Sequence, residues 1–368
     1  MLISHKIELS ANNKQSTYFS KACGTARFAY NWALNEWKNQ YILGLKTNEM
    51  ALRRQLNSIK KEQFPWMLEV TKNAPQMAII NLGEAFKRFF KGISKYPQFK
   101  KKGHSDSFSL TNDQFKLSEN KIKIPHLGWV KLCEKLRFSG KIISATISRI
   151  AQKWFVSITV ETNFIPQITE NQGVVGIDLG VKTLATLSNG EEMIGPKSHT
   201  KLLKKLKRVS RSLSRKVKGS KNRFKAKYVC AKLHARISNI RKDALHKLTT
   251  YVAHKFSTVV IEDLNVQGML KNRKFSRCIS DMSFYEFHRQ LEYKLKMHGR
   301  KLVIADRFFA SSKICSCCGT KNEELKLSDR EWNCTVCNTN HNRDLNASIN
   351  LKNVAASSAV KASGEEGN

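Results

Sequence analysis

Two C-x-x-C pairs near the C-terminal end constrain this chain more than any other stretch. Cys315 and Cys318 form one pair, Cys334 and Cys337 the other, with Gly319 to Asn333 between them. That interval matches the spacing of a structural zinc ribbon. Zinc takes four soft ligands in a tetrahedron, and two knuckles held face to face supply four thiolates. Seven residues after Cys337 comes Asp344, at the head of a short amphipathic run from Leu345 to Leu351. The ribbon is therefore expected to act as a clip that fixes the position of one carboxylate. The other five cysteines are scattered, which fits a reducing compartment with a metal site better than a disulfide framework.

Charge narrows the partner. The chain has 368 residues, 65 Lys and Arg against 29 Asp and Glu, and a net charge of +36. Such an excess points to a polyanion, with nucleic acid first, because neutralising phosphates releases counterions. A hydrophobic fraction of 41% is enough for real cores in two or three domains. No window approaches the roughly 18 apolar residues of a spanning helix. The opening M-L-I-S-H-K-I-E-L-S lacks the apolar stretch of a signal peptide. A cytoplasmic, nucleoid-associated protein with no membrane partner is expected.

Taken in order, His5 to Leu9 reads as a short strand. Three helices follow, over Gln15 to about Leu43, Glu49 to about Glu62, and Gln76 to about Gly92. Phe19, Phe28, Trp32 and Trp37 recur at helical spacing and read as helix core rather than base-stacking platforms. Ser107 to Glu161 then reads as several strands, ending in a hairpin around Ala151-Gln152-Lys153, and suggests a small antiparallel barrel. Pro166 to Gly173 is a polar linker. Val174 to Gly180 and Phe256 to Leu264 read as buried strands carrying Asp178 and Glu262. Between them, Lys201 to Lys255 is a basic helical pair whose only acid is Asp243, read as a phosphate-binding surface. Phe284 to about His298 reads as a helix, Lys301 to Ala305 as a strand, and Val354 onward as a frayed tail.

Asp178, Glu262 and Asp344 are far apart in sequence, yet each sits in an apolar element. Taken alone, Asp178 could simply cap a turn beside Gly180. Clustered carboxylates persist in cores mainly where cations neutralise them. Hard oxygen donors suit Mg²⁺ or Mn²⁺, and two such ions about 3.5–4 Å apart support phosphodiester hydrolysis. With a basic chain around the acids, the expected substrate is DNA or RNA.

The motifs G-I-D-L-G, V-I-E-D-L and C-x-x-C…C-x-x-C…N-R-D-L-N-A-S-I-N-L, in this order, resemble the TnpB (OrfB) proteins of insertion sequences, relatives of type V CRISPR effector nucleases. The likeness runs nearly the whole chain and includes F-Y-E-F-H-R-Q-L-E-Y-K and S-S-K-I-C-S-C-C-G. It implies an α/β multidomain protein: a RuvC-like, RNase H-type nuclease domain (169–310 and 344–354) with an inserted zinc ribbon (311–343). It also implies a wedge β-barrel (1–10 and 103–168), a helical recognition lobe (11–102) and a disordered tail (355–368). The resemblance makes Asp178, Glu262 and Asp344 the catalytic, magnesium-binding triad. It implies a non-coding guide RNA from the element, cleavage of double-stranded DNA beside a short transposon-adjacent motif, and the element's transposase as a further candidate partner. Lys72, Asn73, Gln76 and Thr111 align where that motif would be contacted, although Asn73 could equally cap a helix and Gln76 merely be exposed. Asn342 stands where many relatives have Asp, Cys317 is an extra thiol, and His341 is a conceivable substitute ligand. A DNA transposase that joins strands itself and a nuclease-dead, RNA-guided DNA-binding regulator are the competing readings.

Overall fold

The computed structural model describes residues 1–163, 171–196, 198–326 and 328–364, with side chains left out at 198–201 and 356–364. Most of the expected linker lies outside these residues. The chain divides into two compact units, Met1–Phe164 and Ile165–Asn368.

The first unit opens with strand β1 (Leu2–Ser10) and helices α1 (Asn13–Ile42), α2 (Glu49–Gln63) and α3 (Asn73–Phe90). Strands β2 (Ser107–Thr111), β3 (Lys116–Ser118), β4 (Lys121–Ile124), β5 (Gly128–Leu132), β6 (Lys141–Ile150) and β7 (Lys153–Glu161) follow. Asn12 caps α1, its side chain accepting from the Gln15 amide while the Gln15 side chain accepts in return from the Asn12 amide. The seven strands form one antiparallel sheet in the order β2-β6-β7-β1-β5-β4-β3. Flat, its edges would lie roughly 29 Å apart, at about 4.8 Å per strand. The edge strands β2 and β3 are joined by only Asn112 to Phe115, which reach less than about 20 Å. The sheet therefore curls rather than lying flat, with β2 and β3 as its two edges. Ala151 and Gln152 turn the β6–β7 hairpin with φ of 46° and 69°, the left-handed pair that matches strand twist.

Strands and helices of this unit, expected as separate domains, share one apolar core. Phe19, Ala26, Leu34, Leu52 and Leu82 from the helices cluster with Ile7, Leu110, Ile122, Val156 and Ile158 from the strands. The helix-core reading of the α1 aromatics holds for Phe19, which is fully buried; Phe28, Trp32 and Trp37 pack against the same cluster.

The second unit contains β8 (Val174–Asp178), β9 (Ala185–Leu187), β10 (Glu192–Met193), α4 (Ser198–Ser214), α5 (Lys221–Lys255) and β11 (Thr258–Glu262). It continues with α6 (Val266–Lys271), α7 (Ser276–Met282), α8 (Phe284–Met297), β12 (Lys301–Ala305), β13 (Glu331–Asn333), β14 (Asn340–Asn342) and α9 (Arg343–Gly364). The central sheet runs β10-β9-β8-β11-β12: the first three strands are antiparallel, and β11 runs parallel to both β8 and β12. Strands covered on both faces read as continuous Val and Ile runs, as β8 and β11 do. Val175, Ile177, Val259 and Ile261 pack with residues of α5 and α8. The alternate positions, Val174 and Val260, pack with Leu351 of α9. Helix α9 presses closely on β8: a Cβ built on Gly176 would lie 2.0 Å from the Ser348 carbonyl oxygen. The expected tail is a correction: α9 continues to Gly364 through the Ala- and Ser-rich stretch, whose alanines favour helix. Residues 365–368 lie outside the described ones. No helix among the described residues is long and apolar enough to cross a membrane.

Candidate active site and cysteine cluster

The sheet alone brings two of the acids together. The β8–β11 ladder pairs Ile177 with Ile261, so Asp178 and Glu262 leave the sheet side by side. Side chains alternate along a strand. Asp178 therefore points the same way as Val174, and Glu262 the same way as Val260, toward the face that α9 covers. Asp344 lies in the first turn of α9, where the unpaired amides of a helix start favour a carboxylate. All three acids line one cleft of about 230 Å³, together with Leu179, Gly180, Ser311, Ser312, Arg330 and Arg343.

Electrostatics registers the crowding. Burial, then the charges of Glu262 and Asp344, push the Asp178 carboxyl up to about 7. A carboxylate held this unfavourably is poised for a cation. Ser311, itself buried, donates its hydroxyl to Glu262 Oε1. Arg330 Nη1 donates to Asp344 Oδ1 at 3.2 Å. Arg330, Arg343 and Ser311 were not among the expected site residues. The arginines are hidden among 65 basic residues; their only sequence signal is their place beside the second knuckle and Asp344.

The four expected cysteines meet: their sulfurs all lie within 4.8 Å of one another. The three acids share a cleft without forming so tight a set. The two knuckles repeat one design. The Cys315 amide donates to the Thr320 carbonyl and the Cys334 amide to the Thr339 carbonyl, at 2.8 and 2.9 Å. Gly319 and Asn338 take φ of +77° and +56° to close the two turns, conformations those residue types tolerate. Thr320 and Thr339 hydroxyls lie 3.4 and 3.2 Å from Cys318 and Cys337 Sγ. Chiefly through these contacts, Cys318 is shifted down, and Cys337 down to about 6, toward thiolate. Sγ–Sγ distances of 3.5 Å for Cys315–Cys337 and Cys318–Cys334 suit a tetrahedral zinc. Cys317 is exposed and outside the cluster. His341 is buried, packs at a tilt against Trp332, and sets Nε2 3.0 Å from Cys315 Sγ, a hydrogen-bond distance.

Asparagines tie the cluster to α9. Asn342 Oδ1 accepts from the Leu345 amide and caps the helix. Asn346 donates to the Ile314 carbonyl at 2.7 Å and accepts from the Ser316 amide; Asn350 reaches the Ser311 and Ile314 carbonyls. The N-x-x-x-N spacing puts both on one helix face.

Of the four residues expected at the DNA motif, two are in side-chain contact and a third approaches the same neighbouring carboxylate, Asp113. Asn73 Nδ2 donates to Thr111 Oγ1 at 2.8 Å, and Lys72 lies 3.9 Å from Asp113. Thr111 also donates to Asp113, which accepts from Gln114 as well. The capping alternative for Asn73 does not hold: Asn73 is the first residue of α3, the Thr71 hydroxyl accepts its amide, and its buried side chain donates to Thr111. Gln76 is half-buried one turn along α3.

The mixed α/β architecture is similar to that of one solved structure in particular. The chain superposes with a TM-score of 0.57 and 17% identity on a structure titled "Cryo-EM structure of the Cas12f1-sgRNA-target DNA complex", over 93% of this chain and 83% of that one. Residues 1–46 match a family described as "Helix-turn-helix domain", although here they form one strand and one whole 30-residue helix followed by a turn. Residues 156–273 match the OrfB family described as "Probable transposase", and 284–351 match "Cas12f1-like, TNB domain". A "Putative RNA-guided DNA endonuclease" of Streptomyces pristinaespiralis is 36% identical over 98% of this chain and 90% of its own length. "Putative RNA-guided DNA endonuclease InsQ" of Escherichia coli K12 is 33% identical over 98% and 93%. The chain belongs to the TnpB (OrfB) family of insertion-sequence RNA-guided DNA endonucleases.

Proposed function

We propose that this chain is an RNA-guided, divalent-metal-dependent endonuclease that cuts double-stranded DNA beside a short transposon-adjacent motif. The observation that carries the proposal is one cleft holding Asp178, Glu262 and Asp344, drawn from three distant segments and flanked by Arg330. The strand order, three antiparallel then two parallel, supports a RuvC-like, RNase H-type domain, and the paired knuckles support a zinc ribbon. Asp178, Glu262 and Asp344 would hold Mg²⁺ or Mn²⁺, and the four cysteines zinc; the hard-oxygen and thiolate donor sets fit those ions respectively. When bound, the divalent ions would supply an activated water and charge stabilisation at the scissile phosphate.

The chain's own groups have separate tasks. Ser311 fixes Glu262 through its hydroxyl. Arg330 orients Asp344 and offers a guanidinium to phosphate charge within the cleft. Glycine at 176 lets α9 approach β8, which sets how near Asp344 comes to Asp178. Sequence selection falls to pairing with a guide RNA transcribed from the element, and the protein reads the short motif and duplex shape. Lys72, Gln76 and Thr111 are the proposed motif contacts, with Asn73 and Asp113 positioning them.

The test is to purify the protein, sequence the RNA it retains, and challenge it with a plasmid library carrying the matched target. Cleavage beside a recurring short motif is expected, and Asp178→Ala abolishes it while leaving RNA retention and fold intact. A chain that retains no defined RNA but joins DNA strands would be a transposase, and an Asp178→Ala protein that still cuts would remove the site assignment.

A further inference from the structure

The helical part of the first unit carries an aromatic series unlike an ordinary core. Trp37 stacks on Phe86, with ring centroids 4.2 Å apart and planes 27° apart; Phe86 in turn stacks on Phe90, at 6.1 Å and 22°. Phe86 is buried, but Phe90, the outer ring, is 74% exposed. Phe89 and Tyr96 brace the series edge-on, Tyr96 against Phe86 at 5.5 Å and Phe89 against Tyr96 at 5.3 Å. Lys38 sits over the rings of Tyr96 and Phe99 at 5.8 and 5.1 Å. The result is a supported aromatic column whose last face is open to solvent.

Its surroundings select the occupant. From Ala85 to Gly103 the chain holds seven cations, Lys87, Arg88, Lys91, Lys95, Lys100, Lys101 and Lys102, and no acid. Lys87 is engaged by Glu84 and Glu49; Arg88, Lys91 and Lys95 are exposed and have no ion pair among the described residues. A second copy of a +36 chain would be repelled here. A polyanion with a flat apolar group matches both the cations and the open ring.

We infer that Phe90 is a stacking platform for an unpaired base of the bound RNA, with the neighbouring cations on the flanking phosphates. This rests on the RNA-guided reading above. Base-on-aromatic stacking tolerates any base, because each offers a flat face, and unpaired loops and bulges are where RNA presents such faces. Phe90 lies at the C-terminal end of α3, so it can be replaced without opening a core cavity.

The experiment uses the full chain and the RNA that copurifies with it, stripped and re-added at fixed salt. Phe90→Ala is expected to weaken RNA binding by about 5- to 150-fold, the range for losing one stacked base. Its melting temperature should be unchanged, and Phe90→Trp should restore affinity. Ultraviolet crosslinking of the native complex should place an RNA adduct on the peptide containing Phe90. Unaltered affinity in Phe90→Ala, a loss that Trp does not repair, or an adduct removed by DNase rather than RNase would overturn the platform. The outcomes separate the two claims: an unmodified chain that retains no RNA sinks the RNA-guided reading and this inference together. An RNA-bound chain indifferent to Phe90 sinks only this one.

Discussion

Arg330 joins two sites that the sequence presents separately. It stands four residues before Cys334, and its guanidinium pairs with Asp344. If it offers charge to the scissile phosphate, Arg330→Ala should lower DNA cleavage by roughly 10²- to 10³-fold, the usual effect of removing one preorganised donor. RNA retention should be unchanged; equal loss of both would make it a structural residue. Cys334→Ser should lower zinc content, measured by mass spectrometry of the metal, and thermal stability with it. Full zinc stoichiometry in that variant would refute the ligand set. At this scale the sequence reveals acids and cysteines well, because a carboxylate inside a Val and Ile run or a spaced thiol pair stands out. It hides Arg330 among like residues and Ser311 among ordinary serines. Asn73 was open to misreading because Pro75 looks like a break before the helix, whereas proline is accepted in a first turn.

Between elements, two close approaches carry distinct consequences. Gly176→Ala would drive a methyl into the Ser348 carbonyl and Lys352 amide of α9, backbone atoms that cannot turn aside. A loss of about 1–3 kcal/mol or more is expected in urea unfolding; an unaffected midpoint would mean that α9 does not sit on β8 this way. Helix α8 meets α5 through Lys294, whose ammonium donates to the His246 carbonyl and to the Thr249 and Thr250 hydroxyls at 2.7–2.8 Å. Burial lowers this amine from 10.5 to about 8. Between those values the unfolded chain binds the proton that the folded chain has released, so stability should rise as pH increases from about 8 to 10.5. Lys294→Met should flatten that rise, and a slope that persists would assign it to other groups. Long elements were legible: α1, α3, α5 and α8 follow apolar periodicity, and β8 and β11 are uninterrupted apolar runs. The three-residue strands β3, β13 and β14 were not, since three residues carry no period.

Across the whole molecule, the sequence showed which parts exist better than how they share cores. Nothing in the texture change near Ser107 reveals that Ile158 and Phe19 end in one apolar cluster; that depends on contacts between segments far apart in sequence. The candidate site has the same long-range character. Asp178 and Asp344 stand 166 residues apart (344 − 178), and the second arrives only with the last helix. A growing polypeptide therefore displays nearly all its basic residues before the third of these carboxylates has been synthesised. Truncation between Glu262 and Asp344 yields a product that keeps the basic helices but only two of the three carboxylates, so under the proposed chemistry a stalled or clipped copy would occupy nucleic acid without severing it.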